Sequence, residues 1–133
     1  MSDEIYREVI LDYYRNPRNK GEIEKPDISA EDYNPLCGDK ISFQMQINGN
    51  GMVDTAKFNG EGCAISQASA SMLTEMVEGK NLDEMREMNK DDVLESLGTT
   101  DLGPVRIKCA LLPLKVLKLG VYSYLGEAQK LKE

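Results

Sequence analysis

Lys40-Ile-Ser-Phe-Gln-Met-Gln-Ile47, followed by Gly49-Asn50-Gly51, decides the architecture. Ile41, Phe43, Met45 and Ile47 alternate with Ser42, Gln44 and Gln46, the period of a strand with one buried face. Asn-Gly after such a run signals a hairpin with positive φ at the turn. Met52–Asn59 then reads as the returning antiparallel strand, and Gly60-Glu-Gly-Cys63 as its exit from the sheet.

Helical patterns flank this hairpin on both sides. Before it, Ser2–Arg15 places Ile5, Tyr6, Val9, Ile10, Tyr13 and Tyr14 at helical spacing, with Ser2 as N-cap and Asn16-Pro17 as the stop. Arg18–Ala30 is polar and reads as a surface loop, with room for a short strand just before Asn34. After the hairpin, Ala64–Glu78 reads as a helix whose Ala and Ser residues permit close packing, ended by Gly79. Asn81–Met88 and Asn89–Leu97 each begin with an Asn cap, and Gly98 closes the second. Val105–Leu131 is helical by composition, with Leu111, Leu114, Leu117, Val121 and Tyr124 or Leu125 as its apolar face. Pro113 costs about 3 kcal/mol in a helix interior, which predicts a kink there or a main helix that starts there.

The totals exclude several classes. With 133 residues, no repeat and no linker, residues 1–133 read as a single domain. A net charge of -7 and a pI near 4.7 argue against a nucleic-acid binder, which needs a basic patch. No apolar run approaches the roughly 20 residues of a membrane span, and Met-Ser-Asp-Glu lacks the basic start of a signal peptide. The expected location is therefore cytoplasmic. The chain has no histidine, which removes histidine general bases, Ser-His-Asp triads and all-histidine zinc sites.

Three cysteines remain: Cys37 in the turn Asn34-Pro-Leu-Cys-Gly-Asp39, Cys63 at a loop-to-helix junction, and Cys109 near the start of the last helix. An odd number of cysteines does not suggest a disulfide framework. A helix N-terminus favours the thiolate, the form that binds metal and attacks sulfur. Lys108 and Arg106 push Cys109 the same way. The spacings, 37 to 63 and 63 to 109, match no zinc finger or ferredoxin, so a metal site here must be assembled by the fold. Three thiolates and the Asp39 carboxylate give four ligands, enough for tetrahedral zinc or a [2Fe–2S] cluster. A carboxylate is a harder ligand than a thiolate, which suits a cluster meant for release. The plain alternative is a soluble α+β interaction module with buried cysteines.

Asn34-Pro-Leu-Cys-Gly-Asp39, Gly60-Glu-Gly-Cys-Ala-Ile-Ser66 and Val105-Arg-Ile-Lys-Cys-Ala-Leu-Leu112 together resemble the iron–sulfur cluster assembly scaffold family, the IscU/NifU N-terminal/SufU group. Tyr6–Gly21 resembles its N-terminal segment. The resemblance implies an α+β fold: a small antiparallel sheet of about three strands, with helices packed on one face. It implies a prokaryotic IscU-type scaffold rather than an enzyme. A cysteine desulfurase hands over sulfur as persulfide, a labile [2Fe–2S] cluster is built from it and iron, and the cluster passes to apo iron–sulfur client proteins. It further implies Cys37, Asp39, Cys63 and Cys109 as cluster or metal ligands, Cys109 as persulfide acceptor, and Lys108 as support for the thiolate or persulfide. Zinc is an alternative occupant, and a zinc-dependent sulfurtransferase an alternative activity. An exposed three-thiolate site also allows a homodimer around the cluster.

Two departures qualify the resemblance. Lys108 stands where many members have histidine; an ammonium has no lone pair, so Asp39 is the expected fourth ligand, as in the zinc-binding SufU branch. The interval from Cys63 to Cys109 is too short for that branch's usual insertion. Leu102-Gly-Pro-Val-Arg106 only partly matches the family's chaperone-binding motif, which argues against reliance on a dedicated Hsp70-type chaperone.

Overall fold

A computed structural model describes residues 3–35, 38–98 and 103–130, with side chains between Arg7 and Gly126. The elements in chain order are α1 (Asp3–Arg15), β1 (Ile28–Asn34), β2 (Asp39–Ile47), β3 (Val53–Glu61), α2 (Ala64–Val77), α3 (Leu82–Glu87), α4 (Lys90–Leu97) and α5 (Pro104–Lys130). The expected Ser2 cap of α1 lies outside the described residues.

The strands form one antiparallel sheet in the order β1-β2-β3. The row that reads Ile41, Phe43, Met45 on β2 pairs with Asp32, Ala30, Ile28 on β1 and with Gly60, Phe58, Ala56 on β3. Those apolar residues of β2 and β3 are buried, and α2 and α5 pack over them. Ser42, Gln44 and Gln46, on the opposite face, are half-buried. The α+β fold with its three-stranded sheet and long C-terminal helix is therefore as expected.

Two strand limits differ from the sequence reading. β1 starts at Ile28 because that side chain fills the core row, although its neighbours are polar. β3 does not end at Asn59: Gly60 and Glu61 remain paired with Ile41 and Lys40. Glycine is required at position 60, since a Cβ there would collide with the Lys40 carbonyl. In the hairpin, Gly51 takes the positive φ of 79°, while Asn48 holds the turn by accepting the Asn50 and Met52 N–H groups on its side chain.

Ser69, Ser71 and Thr74 of α2 are buried with partners, whereas the Gln67 side-chain nitrogen is buried without one among the described residues. Ser71 Oγ accepts the Arg18 N–H at 2.7 Å, and Thr74 Oγ accepts from the Asn19 side chain. The loop after α1 is thereby tied to α2, and it also borders β3 through Gly21 N–H to the Phe58 carbonyl. Ser69 Oγ donates to the Ala110 carbonyl at 2.7 Å, joining α2 to α5. Asn81 and Asn89 form capping boxes on α3 and α4, and Gly98 ends α4 at φ 86°.

α5 corrects three expectations. It runs unbroken through Pro113, which is buried. Packing on both sheet and α2 compensates for the backbone bond to Cys109 that a proline cannot make. Its buried surface is also broader than one face, including Cys109, Ala110, Leu112, Leu114, Val116, Leu117 and Val121, whereas Tyr124 is exposed. Pro104–Gly126 is long and apolar enough to cross a membrane, contrary to the reading that no run is; half of that apolar stretch is buried in the fold.

Candidate metal centre

The core row of β2 ends in a carboxylate. Counting back by twos from Met45 through Phe43 and Ile41 reaches Asp39, which therefore points to the helix-covered side and is fully buried. It forms no ion pair among the described residues.

Cys63 stands opposite it as the N-cap residue of α2. Its backbone N–H donates to Asp39 Oδ1 at 2.7 Å, and its thiol lies 3.4 Å from Oδ2. Ser66 Oγ donates to the Cys63 carbonyl at 3.1 Å and lies 3.7 Å from the thiol. This approach depends on Gly62, whose φ of 132° and missing side chain leave room for Asp39. A Cβ at that position would stand 2.7 Å from the Asp39 Cα and would meet its carboxylate.

α5 supplies the third group. Cys109 is 3% exposed, and one ligand atom from each of Asp39, Cys63 and Cys109 lies within 4.8 Å of the others. Cys109 occupies the second turn of α5 rather than its start. Burial beside Cys63 and Asp39, not a helix terminus, therefore sets its surroundings. Three segments distant in sequence thus place two sulfur atoms and one oxygen around a single point, the mixed soft and hard donor set that zinc or iron accepts. A buried carboxylate without a cationic partner is costly, and a metal ion at this point would neutralise it.

The other expected site residues have different positions. Cys37 lies outside the described residues. Of its described neighbours, Asn34 pairs with Asp39, and the Gly38 N–H donates to the Asn34 carbonyl at 2.8 Å. Lys108 is exposed and lines a groove with Tyr33, Asn34, Pro35, Leu112 and Lys115, whereas the groove bordered by Cys63 and Cys109 is lined by other residues. Of the expected chaperone motif, Leu102 lies outside the described residues and Gly103–Arg106 is exposed. Ser66 and Gly62 were not singled out as site residues from sequence; the Gly-x-Gly before Cys63 was their available signal.

Comparison with known proteins identifies the family of the chain. The family model described as NifU-like N terminal domain matches residues 5–131. The zinc-dependent sulfurtransferase SufU of Bacillus subtilis is 42% identical over 135 residues, covering 90% of each chain. The iron–sulfur cluster assembly scaffold protein IscU of Escherichia coli K12 is 35% identical over 122 residues, covering 90% of this chain and 93% of that one. Among solved structures, an iron–sulfur cluster assembly scaffold protein for the SUF system of Fervidobacterium islandicum AW-1 superposes with TM-score 0.72 at 34% identity. It covers 91% of this chain and 99% of its own.

Proposed function

The chain belongs to the NifU-like N-terminal domain family, and from that premise we propose that it is a scaffold on which a labile [2Fe–2S] cluster is assembled and then passed to apo-proteins. The observation that carries this reading is the convergence of Asp39, Cys63 and Cys109, whose ligand atoms lie within 4.8 Å of one another. The cluster is the cargo of the protein. Asp39, Cys63 and Cys109, with Cys37, are its proposed ligands.

Sulfur reaches the site from a cysteine desulfurase. The Cys109 thiolate attacks the outer sulfur of the desulfurase persulfide; a new S–S bond forms on Cys109, and the desulfurase thiolate leaves. No net oxidation is involved. Lys108, one residue away and exposed, supports the negative charge of thiolate or persulfide from outside the cluster. Asp39 holds iron through a hard oxygen, which lowers the match between site and cluster and favours transfer. The reading takes residues 1–133 as one domain and a cytoplasmic setting. Its partners are a desulfurase and apo iron–sulfur clients, without a dedicated Hsp70-type chaperone. A second copy sharing the cluster completes the coordination when one chain alone does not. Anaerobic incubation with iron, sulfide and thiol should produce the absorption spectrum of a [2Fe–2S] cluster. Clean apo-protein that acquires none would refute the proposal.

A second reading is favoured by the 42% identity to a zinc-dependent sulfurtransferase. In it the same residues hold zinc, which supplies Lewis acidity and keeps the cysteines as thiolates, and Cys109 accepts sulfur without a cluster being built. Metal analysis combined with desulfurase turnover separates the two. Turnover raised by the zinc form alone, with no cluster formed on reconstitution, supports the sulfurtransferase.

A further inference from the structure

Cys63 and Cys109 border a groove of about 580 Å³ between α1, α2 and α5. That size is typical of small-molecule sites, which span roughly 300–1,000 Å³. Ile10 and Leu11 from α1, Ala64 and Ile65 from α2, and Val105 from α5 form apolar walls. The charged residues that line it are Arg7 and Arg106, with no acidic side chain among the described residues. In a chain of net charge -7 that is a local reversal of sign. Arg18 and Arg86 pair with Asp12 and Asp83, whereas Arg7 and Arg106 form no ion pair among the described residues.

We infer that this groove takes a small persulfide bearing carboxylates, held by Arg7 and Arg106, which passes its outer sulfur to Cys109. The inference rests on the reading of Cys109 as a sulfur acceptor. Cys109 is 3% exposed, so a donor must enter the groove to reach it. A protein donor has to thread a loop into that space; a tripeptide-sized molecule fits as a whole. Guanidinium groups match carboxylates in geometry as well as charge. In the transfer, the Cys109 thiolate attacks the outer sulfur of R–S–SH. A new S–S bond forms on Cys109, the original S–S bond breaks, and R–S⁻ leaves. The proton carried by the transferred sulfur is then lost to solvent, so the exchange is redox-neutral.

Glutathione persulfide and the persulfide of glutathione diethyl ester differ in two carboxylate charges. Each is mixed with the full chain at fixed ionic strength, and sulfur gain on Cys109 is followed by peptide mass spectrometry. The acid should transfer about tenfold faster than the ester, as expected when two exposed charge pairs of up to about 1 kcal/mol each are made. That advantage should vanish in R7Q/R106Q and persist in K25Q/K90Q, which removes the same charge from exposed positions elsewhere. Equal rates for the two donors, an advantage that survives R7Q/R106Q or disappears in K25Q/K90Q, or no sulfur on Cys109 would overturn the inference. Reconstitution of the wild-type chain with iron and inorganic sulfide, run alongside, bypasses the groove donor; its failure counts against the scaffold reading instead.

Discussion

Cys63 presents two groups to Asp39, its backbone N–H at 2.7 Å from Oδ1 and its thiol 3.4 Å from Oδ2. The end of a strand and the start of a helix are thereby fixed to one another at the point where Cys109 arrives from α5. The carboxylate orients the neighbouring cysteine as well as offering an oxygen to metal.

In the proposed scaffold, replacing Asp39 by Ala would remove the hard ligand and leave sulfur to hold the cluster. The reconstituted variant should lose its cluster more slowly than wild type under chelator challenge or on incubation with an apo-acceptor. Faster loss would contradict a destabilising role for the carboxylate.

Gly62→Ala should damage the site more than the chain. At φ 132° any side chain is strained, and the added Cβ meets the Asp39 carboxylate. We expect a stability loss of about 1–3 kcal/mol in denaturant titrations, together with loss of the [2Fe–2S] absorption that the scaffold reading expects after reconstitution. Gly49→Ala, with open space and no positive φ, serves as the control and should change stability by less than about 0.5 kcal/mol.

Gly120→Ala should loosen the packing of α5 on the sheet. A Cβ there would lie 2.8 Å from Ile28 Cγ2 and 3.2 Å from the Ala30 Cβ. Overpacking of this kind costs about 1–3 kcal/mol, which thermal unfolding would register as a lower midpoint. An unchanged midpoint would mean that β1 can move away freely.

Asp32 should titrate below the usual carboxylate range. Lys115 donates to it at 2.9 Å, and the Tyr33 N–H adds a second bond at the same distance. A lowered folded-state value means that the stabilisation is fully present above about pH 3.9, the ordinary unfolded value. It disappears as pH falls through the lowered one. NMR titration should show the Asp32 midpoint rising in Lys115→Gln; no movement would exclude the pair as its cause.

Much of this was legible before any coordinates. Strict alternation from Ile41 to Ile47 gave β2 its register, and the Asn caps gave α3 and α4 their starts, because these signals are local. The same alternation, extended back two residues, would have placed Asp39 on the buried face. What remained hidden depended on distant contacts. Ile28 begins a strand in polar company because the core row needs it, and Gly60 stays paired because its missing Cβ admits the Lys40 carbonyl. Pro113 fits inside α5 because surrounding packing outweighs a helix penalty that the sequence alone cannot offset. The groove containing Arg7 and Arg106 joins the ends of the chain and could not be read from either end alone.

The most direct test is an anaerobic crystal structure of the iron- and sulfide-reconstituted protein with anomalous data at the iron and zinc edges. The scaffold account predicts iron anomalous density in contact with Asp39, Cys63 and Cys109. Zinc density there without iron, or iron bound elsewhere on the chain, would contradict it.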